Sequence, residues 1–289
     1  MEHYPPIWSD LSVVEHEFQY NPQKACPQFE SYRQGREPAN EAAAGSLDRV
    51  TVAYGDHPLR ALDIYPAPKS FSPVHVYYHG GYWRAQDKAN FAFVAGALAP
   101  LGVTSVIVNY ELCPDATLDD VVDSALEAMR WVYANVSQHG GDPARITLSG
   151  HSAGAHLVAE IIAHDWEAEG FSSGTIRGAT LISGIYDPTP AIWTSVNADL
   201  RLTEEIARRH NVEARRPRLT CPIALFAGGA EPWQWIDQTF RYSHCLRRYG
   251  LDPAVHVLPG INHFNILNTY LDTDGLVLRA IRSQIEATS

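Results

Sequence analysis

Short β-branched runs alternate with amphipathic stretches along most of this chain. Apolar runs of strand length fall at residues 49–54, 61–65, 74–78, 104–109, 145–149, 179–183, 223–227 and 254–258, all but 104–109 flanked on at least one side by Gly, Pro or Asp. Between them, Leu118, Val121, Val122, Ala125, Ala128, Met129, Val132, Tyr133 and Val136 recur at helical spacing, with Gly140-Gly141 as a stop. Further helices are predicted at 153–163, at 240–249 and from Leu276 onward. Alternation of this kind predicts an α/β architecture: a mostly parallel, eight-stranded sheet covered by helices on both faces.

Two segments break the rhythm. The first 45 residues are polar and interrupted by Pro5, Pro6, Pro22, Pro27 and Pro38. They read as an N-terminal arm, irregular apart from a short helix near 11–18. Residues 187–218 hold no strand pattern and a higher charge density, and between two core strands such a stretch reads as a cap or lid insertion. The 289 residues therefore form one domain with an insertion.

Charge narrows the possible partners. With 22 Lys and Arg against 33 Asp and Glu, the net charge is −11, which disfavours nucleic acid and anionic membranes and leaves a small molecule as the expected partner. A homodimer is compatible with the sequence. Cys26, Cys113, Cys221 and Cys245 are widely spaced, and they read as free thiols of a cytoplasmic protein, without a zinc or disulfide pattern. The N-terminal residues Met1-Glu2-His3-Tyr4 carry no signal-peptide pattern. The uncharged stretch 91–110 contains Pro100, Gly102 and Asn109 and reads as a helix followed by a strand, not as a membrane span.

Three motifs carry chemistry. Gly150-His151-Ser152-Ala153-Gly154 directly follows the strand Ile146-Thr147-Leu148 and opens a helix, the setting in which a sharp turn presents a nucleophilic serine. His79-Gly80-Gly81-Tyr82-Trp83 ends the third strand. Its glycines let the backbone approach a substrate, so the N–H groups of Gly80 or Gly81 would join that of Ala153 in an oxyanion hole, with His79 bracing the loop. Gly260-Ile261-Asn262-His263-Phe264 follows the last strand and offers His263 as the base that takes and returns the serine proton. The orienting acid belongs after strand 223–227, where Glu231 comes first; Asp237 is the alternative and falls inside the following helix. No pattern for a metal or organic cofactor is present.

These motifs, with Asn109-Tyr110-Glu111-Leu112-Cys113-Pro114 and Ser183-Gly184-Ile185-Tyr186-Asp187, resemble the α/β-hydrolase kynurenine formamidases (arylformamidases), kin to the hormone-sensitive-lipase-like esterases. The resemblance runs from about Leu59 to the C-terminus. It implies an α/β-hydrolase fold and a serine hydrolase that cleaves the formamide bond of N-formylkynurenine or another N-formyl arylamine. A carboxylesterase acting on small aryl or short acyl esters is the alternative, since the same machinery cleaves both bonds. Aromatic residues on the surrounding loops, Tyr82, Trp83 and Tyr186 above all, are the expected substrate contacts.

Overall fold

The computed structural model describes residues 10–172 and 174–287, so Met1-Glu2-His3-Tyr4, the stretch without a signal-peptide pattern, lies outside it. Strands β1 (Val50–Ala53), β2 (Ala61–Tyr65), β3 (Ser72–Tyr78), β4 (Thr104–Val108), β5 (Gly141–His151), β6 (Ile176–Ile182), β7 (Ile223–Gly228) and β8 (Ala254–Leu258) form one sheet in the order β1-β2-β4-β3-β5-β6-β7-β8. β1–β2 and β2–β4 pair antiparallel, and every later pair is parallel. The interior strands are buried on both faces, which is why β4 reads Thr-Ser-Val-Ile-Val without alternation.

The N-terminal residues form α1 (Val13–Tyr20), α2 (Pro22–Ala25) and α3 (Phe29–Ser46). The arm is thus largely helical: the expectation of an irregular segment is corrected by an 18-residue helix that keeps Pro38 inside it. The stretch 91–110 divides as its composition requires, into α4 (Ala92–Leu98), a short 3₁₀ turn and β4. Among the described residues no helix is long and apolar enough to cross a membrane.

Helix α5 (Leu118–Asn135) shows how the pattern works. Thr117 and Asp120 cap its N-terminus reciprocally, Thr117 accepting from the Asp120 amide at 3.3 Å while Asp120 accepts from the Thr117 amide at 2.8 Å. Val121, Ala125, Ala128, Met129 and Val132 then face the sheet with no exposure. Truncating Met129 to Ala would cost about 2–5 kcal/mol by leaving a cavity there. Helix α6 (Ala153–Ala163) follows β5 directly and is mostly apolar because it lies in the core, its two polar residues, His156 and Glu160, bonding the His210 carbonyl and imidazole.

Residues 187–218 contain α7 (Asn197–Leu200) and α8 (Glu204–Arg209) between 3₁₀ turns. Their Val196, Leu200, Leu202 and Val212 side chains join the main core. Helix α9 (Trp233–Arg248) begins seven residues before the expected start at 240, and α10 (Leu276–Glu286) closes the fold. The loops after β3, β5, β7 and β8 all emerge at the carboxyl edge of the parallel strands, where clefts form in such sheets.

Candidate active site

Ser152 sits on the turn between β5 and α6 at φ 56°, ψ −120°, a left-handed conformation that a side chain adopts only under constraint. The constraint is close backbone packing. A Cβ on Gly150 would meet the Gly154 carbonyl oxygen at 2.3 Å, and one on Gly154 would meet the Tyr78 carbonyl oxygen at 2.0 Å. The Ser152 amide donates to the Ile182 carbonyl at 2.8 Å, tying the turn to β6.

The loop after β3 lies against this turn. A Cβ on Gly80 would come within 2.8 Å of His151 Nδ1, and Gly81 has φ 122°, with Ala85 backbone oxygen only 2.2 Å from where its Cβ would be. Among the described residues, the N–H groups of Gly80, Gly81 and Ala153 meet no backbone acceptor. His79 braces the loop from inside the protein. It stacks on Tyr110 at 4.4 Å and bonds the Gly80 carbonyl at 2.7 Å through Nδ1 and Asn109 Oδ1 at 3.2 Å through Nε2. Tyr110 donates its hydroxyl to the His79 carbonyl at 2.7 Å, so the Asn109-Tyr110 segment supports the glycine loop.

His263, on the loop after β8, brings Nε2 to 3.0 Å from Ser152 Oγ. Its Nδ1 lies 3.4 Å from Glu231 Oε1. Glu231 comes three residues after the end of β7. Its loop and the His263 loop are pressed together, because a Cβ on Gly228 would sit 2.4 Å from the Ile261 carbonyl oxygen. Asp237 lies on α9 and pairs with Arg241 one turn on, away from His263. All three members of the Ser152–His263–Glu231 chain are buried. Burial pushes the Glu231 carboxyl up to about 8, opposed by the hydrogen bond from the Ser183 hydroxyl, and it pushes the His263 imidazole down to about 3. A neutral imidazole beside a hydroxyl is the state that can accept its proton. His151 is also held neutral by burial, and it bonds the His263 carbonyl at 2.8 Å through Nε2, fixing that loop.

Ser152 and His263 open onto a cavity of about 240 Å³. Gly80, Gly81 and Tyr82 form part of its wall. Trp83 and Tyr186, the other two expected substrate contacts, are not on the wall. Trp83 points into the core against His156, ring centroids 5.0 Å apart, and Tyr186 stacks on Tyr242 at 4.4 Å; neither is exposed. Their positions near the motifs gave the right loops but not the side-chain directions, which tertiary packing decides. Beside Tyr82, the aromatic wall is built by Phe29, Phe91 and Phe264.

The roof of the cavity is one face of α3: Phe29, Glu30, Arg33, Arg36, Glu37 and Asn40 recur at three- and four-residue spacing. From residues 187–218 only Asp199 lines it.

Comparison with known proteins gives the family. The sequence profile of the α/β-hydrolase fold family matches residues 75–264. The chain is 30% identical to the kynurenine formamidase of Danio rerio, covering 96% of this chain and 98% of that one. With the kynurenine formamidase of Salmo salar the identity is 32%, over 92% and 94%. Esterase LipW from Mycobacterium marinum superposes with a TM-score of 0.69 over 98% of both chains at 19% identity, a likeness of fold. This chain therefore belongs to the α/β-hydrolase family, among the hydrolases whose members include the kynurenine formamidases.

Proposed function

We propose that the protein hydrolyses the C–N bond of an N-formyl arylamine such as N-formylkynurenine, through an acyl-enzyme on Ser152. His263 takes the Ser152 proton as Oγ attacks the formyl carbon. The tetrahedral oxyanion is held by the amides of Gly80, Gly81 and Ala153. His263 then protonates the departing nitrogen, and the arylamine leaves. Water, deprotonated by His263, attacks the formyl ester and releases formate with Ser152 restored. Glu231 fixes the imidazole and stabilises its charged form.

The observation that carries this reading is the 3.0 Å contact between His263 Nε2 and Ser152 Oγ at a cavity walled by phenylalanine rings. Similarity to kynurenine formamidases along 96% of the chain supports the formamide as substrate. Aromatic walls suit an aryl group by stacking and area burial.

The test is kcat/KM for N-formylkynurenine beside that for a matching aryl acetate. Turnover of the formamide with one formate released per arylamine is expected. Cleavage of the ester alone would replace this reading with a carboxylesterase.

A further inference from the structure

Six charged side chains border the cavity at Ser152: Arg33, Arg36, Arg84, Glu30, Glu37 and Asp199. Their formal charges cancel, but their pairing is uneven. Arg33 bonds Glu30 and lies 3.8 Å from Glu37, and Arg84 pairs with Asp199. Arg36 is different. It is 7% exposed, and among the described residues no carboxylate lies within ion-pair reach of it. Its Nη1 donates to two neutral oxygens, the Phe264 carbonyl at 2.8 Å and Asn268 Oδ1 at 3.1 Å. Among the described residues, Nε and Nη2 have no acceptor.

A guanidinium stays charged when buried, and burying a charge without an opposite one is costly. The arrangement suits an anion supplied from the cavity, and a guanidinium fork matches a carboxylate with two parallel hydrogen bonds. Position gives the side of the substrate. Arg36 holds the carbonyl of Phe264, next to His263, and it is His263 that would protonate the leaving nitrogen.

We infer that Arg36 is a specificity-determining residue that binds a carboxylate carried on the leaving arylamine half of the substrate. This rests on the acyl-transfer reading above and adds a substrate class to it: aryl formamides with an acidic tail are preferred over neutral ones.

The experiment compares two acid and methyl-ester pairs in the wild type and in Arg36→Met. One pair is N-formylkynurenine and its methyl ester; the other is an aryl acetate bearing a propanoate arm and its methyl ester. Loss of the Phe264 brace lowers turnover of every substrate, so the readout is the ratio of kcat/KM for acid over ester. The ratio is expected to favour the acid at least about tenfold in the wild type and to fall to near one in Arg36→Met, with the change in KM. A ratio that the substitution leaves unchanged overturns the inference and makes Arg36 a loop brace, or a site for released formate only. If neither formamide is cleaved but the ratio for the acetates collapses, the formamidase reading fails and the role of Arg36 stands. If Arg36→Met does not fold, inhibition of the wild type by kynurenine and by its methyl ester decides. At least tenfold tighter inhibition by the acid supports the inference, and equal inhibition overturns it.

Discussion

Ser183, one residue beyond β6, donates its hydroxyl hydrogen bond to Glu231 Oε1. The same oxygen lies 3.4 Å from His263 Nδ1, and the other carboxylate oxygen, Oε2, is buried without a hydrogen-bond partner. Ser183 is thus what lowers the cost of an ionised Glu231 before His263 becomes charged. In Ser183→Ala, Glu231 holds its proton to higher pH. The acidic limb of the kcat/KM profile should move upward, and kcat at neutral pH should fall roughly tenfold or more, since a hydrogen bond to a charged group is worth about 1.5–3 kcal/mol. A pH–rate profile that superposes on the wild type would remove Ser183 from the pathway.

The choice between two acids is equally open to measurement. Glu231→Gln should reduce kcat by roughly a hundredfold or more with the fold intact, because the imidazolium loses its partner. Asp237→Asn should change kcat little, as its helix pair with Arg241 is worth only about 0.2–0.5 kcal/mol. Steady-state kinetics of the two variants, with the reverse ranking, would assign the acid to Asp237.

Burial of Glu231 also has a sign in stability. Burial raises its carboxyl to about 8 in the folded protein, against an ordinary value of 4.5. Its contribution is therefore fully favourable below 4.5 and is lost as pH rises through 8. Glutamine cannot ionise, so the Tm of Glu231→Gln should gain on the wild type between pH 5 and pH 8. Thermal melts across that range check it, and a constant or opposite difference would contradict the buried carboxyl.

Phe29 reaches the cavity from α3 and packs against Phe264, ring centroids 5.3 Å apart. Phe29→Ala should raise KM for an aryl substrate about threefold to tenfold, matching the roughly 0.5–1.5 kcal/mol of an aromatic pair, with a smaller effect on kcat. Kinetics that leave KM unmoved would place the aryl group elsewhere in the cavity.

What was legible in the sequence follows from what each element has to satisfy. The strands at 61–65 and 254–258 lie where the short runs bounded by proline place them, and the elbow at Ser152 was visible because Gly150 and Gly154 have no room for a side chain. Helix α3 was hidden for a physical reason. Its first two-thirds carry Glu30, Arg33, Arg36, Glu37 and Asn40 toward a cavity, and only Ala39 and Ala43 near its end reach the core, so the usual apolar stripe is missing. Pro38 and Gly35 within it obscured the pattern further, although Phe29, Arg33, Arg36 and Asn40 keep helical spacing. Trp83 and Tyr186 mark the other limit. Their loops were placed by the motifs, but the direction of each ring depends on His156 and Tyr242, which the local sequence does not contain.

The most direct test of the account is the turnover of N-formylkynurenine by Ser152→Ala, with folding checked by circular dichroism. Loss of the nucleophile should lower kcat by at least about a thousandfold while the fold is unchanged. A folded Ser152→Ala protein with turnover near that of the wild type would contradict an acyl-enzyme on this serine.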